Sequence, residues 1–240
     1  MVAAITKYII WCLKVAGCLL GSVILCYGIF FLLSPDLKKI QEPKAVNVVE
    51  GNQLGKWMLT GNKEVANWLG QKYQGKKIQE PINIIIIDEV ATTQEEAIKH
   101  LYDSCEEAKY LSRKGHSNDY LADIGGSLYS QIPDENDHAF STAPYILPNN
   151  HGRIFGPHRY NSKHYFIGAF SREGINIFSK IKHTYVSFEA AKEDFAARMN
   201  ERSDYKVFGE YDMLNSIQGN EVLTTGDHNG AAIVLIRSPK

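Results

Sequence analysis

Beyond residue 26 the chain has a single cysteine. Of the four present, Cys12, Cys18 and Cys26 fall in the N-terminal apolar region and Cys105 stands alone, so no disulfide can form within the remainder and cysteine usage excludes neither compartment. Acidic residues are missing before Asp36, and residues 15–33 (VAGCLLGSVILCYGIFFLL) carry no charge of either sign. An excess of one charge is missing as well. The 26 Lys and Arg nearly balance the 27 Asp and Glu, and after Pro35 the balance is −3, because only Lys7 and Lys14 drop out while every acidic residue stays. That argues against a basic surface for nucleic acid. No G-x-S-x-G elbow, no Gly-rich phosphate loop, no internal repeat and no low-complexity tract occurs.

What is present first is the uncharged run itself. As a helix it would be roughly 28 Å long, close to the ~30 Å hydrocarbon core of a bilayer. Lys14 could snorkel, and Tyr8 and Trp11 would sit among headgroups. A cleaved signal peptide needs a shorter apolar core ending in small residues, whereas this run ends in Phe30, Phe31, Leu32 and Leu33. The sequence Val15-Ala16-Gly17-Cys18 fits a lipidated cysteine, but Lys14 would then break the apolar core. A single-pass anchor is the expectation.

Lys7 and Lys14 face Lys38, Lys39 and Lys44 across the run, so the positive-inside count is nearly even. The short lysine-bearing N-terminus favours a cell-membrane protein whose domain is extracytoplasmic. Gly17 and Gly21 form a G-x-x-x-G spacing through which two anchors could pair as a homo-oligomer. The organisation read from this is an anchor over residues 1–35, a membrane-proximal linker over 36–61, and one globular domain over 62–240. Membrane lipids are the expected partner, and no nucleic acid is.

Within the domain, Asn62 looks like an N-cap. Val65, Trp68, Leu69 and Tyr73 recur at helical spacing before Gly75, which predicts a first helix. Residues 57–59 suggest a short strand. Residues 82–87 (INIIII) are β-branched and continuously apolar, as in a strand buried on both faces. Thr93-x-x-Glu96 predicts a capping box, and Ala97, Ile98, Leu101, Cys105 and Ala108 a helix stripe, which puts Cys105 in a core. Residues 112–148 are polar and Gly/Pro-broken, with short strands expected only near 128–129 and 138–140.

Strands are further predicted over 151–155, 164–170, 181–186, 207–211, 221–225 and 231–236, with a helix after Ser187 whose Phe188, Ala191, Phe195 and Met199 share a face. Asp227-His228-Asn229-Gly230 has turn chemistry and is expected at the tip of a terminal hairpin. The class is α+β, a single transmembrane helix followed by one mixed-sheet domain.

The ordered set of Glu80-Pro81 with the isoleucine run, Gly126-Ser127-Leu128-Tyr129, His151-x-Arg153, Tyr165 to Glu173 (YFIGAFSRE) and Ile181-Lys182-His183 before an acidic helix resembles the LssY C-terminal domain family. The resemblance covers roughly residues 80–199. It implies a bacterial, membrane-associated protein related to secretion or lipid handling, and it brings no established reaction.

His151 and Arg153 are two apart and so share a strand face; Arg172 follows an apolar strand and His183 lies in the next. Converging on a cleft, His151, Arg153, Arg172 and His183 would form an anion-binding pocket for phosphate or carboxylate. The histidines at 138, 151, 158 and 164 match no usual ligand spacing, so neither a metal nor any cofactor is expected. No general base can be named. The functional expectation is a membrane-anchored envelope binding or assembly module; the alternative is a hydrolase or transferase acting on a phosphorylated or lipid-derived substrate.

Overall fold

The computed structural model describes residues 2–33, 51–73, 75–176, 182–217 and 227–239. The chain divides into two compact units, residues 1–37 and 38–240. In the first, α1 runs from Val2 to Leu33. Its segment Thr6–Cys26 has a mean hydropathy of 2.2 and none of it is buried, so it is long and apolar enough to cross a membrane or to act as a signal sequence.

The second unit is an α+β domain built on one large mixed sheet. Its strands are β1 (Leu59–Thr60), β4 (Ile84–Asp88), β5 (Leu111–Lys114), β6 (Tyr120–Ile124), β7 (Ser127–Ile132), β8 (His138–Ser141), β9 (Asn149–Tyr160), β10 (Lys163–Asn176), β11 (Lys182–Ser187), β12 (Lys206–Asp212) and β13 (Ala231–Arg237). A separate hairpin pairs β2 (Asn67–Tyr73) with β3 (Lys76–Gln79). The main path is β1-β6-β7-β9-β10-β4-β13-β12, with β11 on β10, and with β8 joining both β5 and β9. Only β4 and β13 pair in parallel among the described strands.

Strand β4 is central, flanked by β10 and β13, and every one of its residues is buried. Ile84 and Ile86 face a core shared with α2 (Gln94–Glu107) and α3 (Glu189–Arg202), through Leu101, Phe170, Phe195 and Leu235. Ile85 and Ile87 face a second core with Met58, Ala122, Ile124, Phe155, Ile167 and Val234. The continuous apolar run is thus explained by two buried faces, each isoleucine contributing about 1.5–3 kcal/mol.

Both helices begin as their side chains dictate. Thr93 Oγ1 accepts from Glu96 N at 3.1 Å, and the Glu96 carboxylate reaches back to Thr92 N at 2.8 Å and to the Thr92 hydroxyl at 2.9 Å. Ser187 Oγ accepts from Ala190 N at 2.9 Å and so serves the start of α3. Cys105 is buried in the first core, and burial pushes its thiol well up.

The segment expected as a first helix is instead the β2–β3 hairpin. Asn62 takes part in a tight turn, in which Lys63 N donates to Thr60 O at 2.8 Å and Thr60 N to Glu64 O at 2.7 Å. The Thr60 hydroxyl donates to Asn62 Oδ1, and an asparagine that bonds locally in this way closes a turn as readily as it caps a helix. Trp68 then packs with Ile78, Tyr185, Phe188 and Ile217, a tertiary contact that helical spacing could not reveal.

The terminal hairpin also differs. β12 and β13 do pair, but residues 227–230 are not its tip: His228 pairs by its backbone with Ile217, and its ring is buried between Asn215 and Glu189 at 2.9 and 3.1 Å. The polar stretch 112–148 holds two strands more than expected, β5 and β6. Of the expected linker, residues 54–60 belong to the domain through Leu54 against Ile124, Trp57 against Pro81, and β1 against β6. The run at 221–225, residue 181 and residues 36–50 lie outside the described residues.

Candidate functional site

Strands β9 and β10 pair along most of their lengths, with Ser171 opposite His151, Arg172 opposite Asn150 and Glu173 opposite Asn149. Because side chains alternate, Ile154 and Phe170 face the helices while Phe155 and Ala169 face the second core. His151, Arg153, Ser171 and Glu173 fall in step with the second set. Asn150 and Arg172 fall in step with the first.

The four residues expected to share an anion pocket are therefore divided. His151 and Arg153 do lie side by side, both fully buried. Arg172 points to the helix face, where its Nε donates to Asn150 Oδ1 at 2.7 Å. Asn150 in turn donates to the buried Asp194 on α3, which also accepts from Arg198 Nε at 2.5 Å and Tyr110 OH at 2.9 Å. Burial and the Asp194 charge push the Tyr110 hydroxyl well above its ordinary range. Arg172 is thus tied into the packing of α3. His183 is placed by its backbone opposite Ile175, and its side chain lies outside the described residues.

Around His151 and Arg153 the structure gathers a different set. Arg153 donates through Nε and Nη2 to Ser117 O at 3.2 and 3.1 Å, and its guanidinium lies 4.7 Å from the Tyr120 ring centroid and 5.2 Å from that of Trp68. Its Nη1 is 3.7 Å from Glu80 Oε2. Neither Glu80 oxygen accepts a hydrogen bond, and burial raises its carboxyl to about 8, with Arg153 opposing the rise and Glu173 adding to it. His151 Nδ1 lies 3.8 Å from Glu173 Oε2 and its Nε2 is 3.4 Å from Ser171 Oγ. The ring of His116 stacks on that of His151 at 4.8 Å, and Tyr145 meets His116 edge-on at 5.6 Å.

The chain matches no protein-family model, no curated protein and no solved structure. The site is therefore read from its own chemistry.

It is a buried polar cluster on the second-core face, made by Trp68 from β2, Glu80 before β4, His116 and Ser117 from the β5–β6 loop, and residues of β9 and β10. Two imidazoles, two acidic side chains, of which Glu80 holds its proton at neutral pH, and one guanidinium meet there, so it offers ligands to a cation as well as donors to an anion. Sequence spacing identified only the His151–Arg153 pair. Glu173 had a signal, since it stands two residues beyond Ser171 on the same strand face; His116 and Glu80 had none, because each arrives from a different segment.

Proposed function

We propose that this protein is a single-pass membrane protein of the bacterial envelope, and that its α+β domain is a binding or assembly module accessory to secretion or lipid handling. The observation that carries the reading is α1, whose apolar segment Thr6–Cys26 has no buried residue. An unshielded helix of that length in water would be a large aggregation-prone surface, and a bilayer removes the cost. Membership of the LssY C-terminal domain family, an extracytoplasmic domain, and pairing of two anchors through Gly17 and Gly21 belong to the same proposal. The domain's buried polar cluster, with its acidic and basic groups set against one another, is where the module would take its ligand.

The test is fractionation of cells making the full chain. Resistance to alkaline extraction, release only by detergent, and a soluble folded product on deleting residues 1–35 are expected. Mature protein found in the soluble fraction with a new N-terminus beyond the apolar run would overturn the anchor in favour of a signal sequence.

A second reading, a hydrolase or transferase acting on a phosphorylated or lipid-derived substrate, is favoured by one observation: Arg153 and His151 share the buried cluster with two acidic side chains, Glu80 and Glu173. Such groups supply anion recognition and proton transfer. Turnover of phosphate esters by the wild type, abolished in Arg153→Lys, would support it.

A further inference from the structure

Two imidazoles and one carboxyl group converge in the buried cluster from three separate pieces of chain. His116 is carried by the β5–β6 loop, where Gly115 adopts a φ of +110° and a Cβ would come within 2.8 Å of Tyr145. The backbone N–H groups of Gly115 and His116 both donate to Asp137 O, at 2.8 and 2.9 Å, which fixes the loop. His151 comes from β9 and Glu173 from β10. One ligand atom from each of the three residues lies within 4.8 Å of the other two. Their exposures are 4%, 0% and 1%.

We propose that His116, His151 and Glu173 bind one divalent transition-metal ion of borderline softness, with zinc as the type. Two ring nitrogens and a carboxylate oxygen are the donor set that such ions take, and no thiolate is among them to favour a softer ion. Magnesium and calcium are disfavoured because they require shells of oxygen. Ligand atoms around an ion with bonds of about 2.0–2.2 Å stand roughly 3.3 Å apart, so the three groups need to close by no more than about 1.5 Å, within the reach of side-chain rotation. Three protein ligands leave a coordination position for water or a ligand. Arg153, two residues along β9, is engaged elsewhere, by Ser117 O, by the Trp68 and Tyr120 rings, and by Glu80.

This inference goes beyond the membrane reading and does not depend on it. A metal site would exist in a secreted form as well as in an anchored one.

The experiment uses the full chain in detergent micelles, with Cys12, Cys18 and Cys26 replaced by serine so that no anchor thiol competes for metal, after stripping with a chelator. It is titrated with Zn(II), and separately with Co(II), whose visible spectrum reports its ligands. One Zn(II) per chain, a raised Tm and a low-symmetry Co(II) spectrum are expected, with affinity falling by about tenfold or more in His116→Ala and in Glu173→Gln. His116 lies outside the strands, and circular dichroism would establish that its variant is folded. A Co(II) spectrum in the parent chain identical to that of the aqueous ion would overturn the proposal. So would unchanged stoichiometry and affinity in folded His116→Ala.

Discussion

The side-chain amide of Asn83 pairs with the main chain of Phe170 at both ends. Its Nδ2 donates to Phe170 O at 2.9 Å and its Oδ1 accepts from Phe170 N at 3.0 Å. Its backbone is used as well, with Asn83 N on Gly168 O at 2.9 Å and Asn83 O accepting from Ile233 N at 3.1 Å. One polar residue inside an isoleucine run thus extends the ladder between β10 and β13 where β4 itself has not yet begun. Asn83→Ala leaves the Phe170 N–H and C=O buried without their partner and should cost about 2–4 kcal/mol. Urea denaturation of the domain measures it, and Asn83→Asp, which keeps an acceptor but loses the donor, should be no better.

Ile85 is paired on one side with Ile167 and on the other with Val234, deep in the second core. Ile85→Asp would bury an unpaired carboxylate between two strands, at a cost of several kcal/mol out of the ~5–15 kcal/mol that holds a typical domain together. The variant should be recovered unfolded or aggregated. Melting within a few degrees of wild type would contradict the central placement of β4.

Asp88 closes the junction between β4 and α2. Burial by itself raises its carboxyl, but the Ala91 N–H, the His100 ring and the Val90 N–H outweigh it and hold the pKa below its ordinary 3.8. The bonds are 2.8 Å to Val90 N and to Ala91 N, 2.7 Å to His100 Nδ1 and 3.1 Å to the Tyr205 hydroxyl, which donates. A carboxyl lowered by folding adds stability that is present above its unfolded value and is lost as pH falls through the folded one. Asp88→Asn should therefore cost about 1–3 kcal/mol at neutral pH, and the gap between variant and wild type should narrow below about pH 4. Denaturation midpoints measured across that range test the sign.

Arg153 and Glu80 are buried together, and because burial raises the Glu80 carboxyl to about 8 the pair at neutral pH is a guanidinium against a protonated acid. Arg153→Ala should cost about 3–5 kcal/mol, because Ser117 O loses its donors and the Trp68 and Tyr120 rings lose their packing, whereas Glu80→Gln, neutral and of the same shape as the protonated acid, should cost about 1 kcal/mol or less, with a small coupling between the two. A double-mutant cycle read by thermal melting separates this coupling from the lost packing against Trp68 and Tyr120.

Some of this protein is written in local sequence. The apolar run of residues 15–33 requires a helix long enough for a bilayer, since length and hydropathy are properties of consecutive residues. The isoleucine run of β4, the Thr93–Glu96 cap and the Ser187 start of α3 were legible for the same reason. Each depends on neighbours within a few positions, and together they establish the α+β class and the shared face of His151 and Arg153.

Only the tertiary structure decided the rest. The segment around Trp68 has helical spacing but forms a hairpin, because its tryptophan packs with Ile78 of the facing strand and with Tyr185, Phe188 and Ile217, which come from far along the chain. Arg172 parts from His151 because adjacent strand positions face opposite ways, and Asn150 with Asp194 awaits it on the helix face. The buried cluster itself needed β9, β10, the loop bearing His116 and the residue before Pro81 to meet. No periodicity encodes such a meeting; it follows from strand order and register, which the buried area of the whole sheet selects.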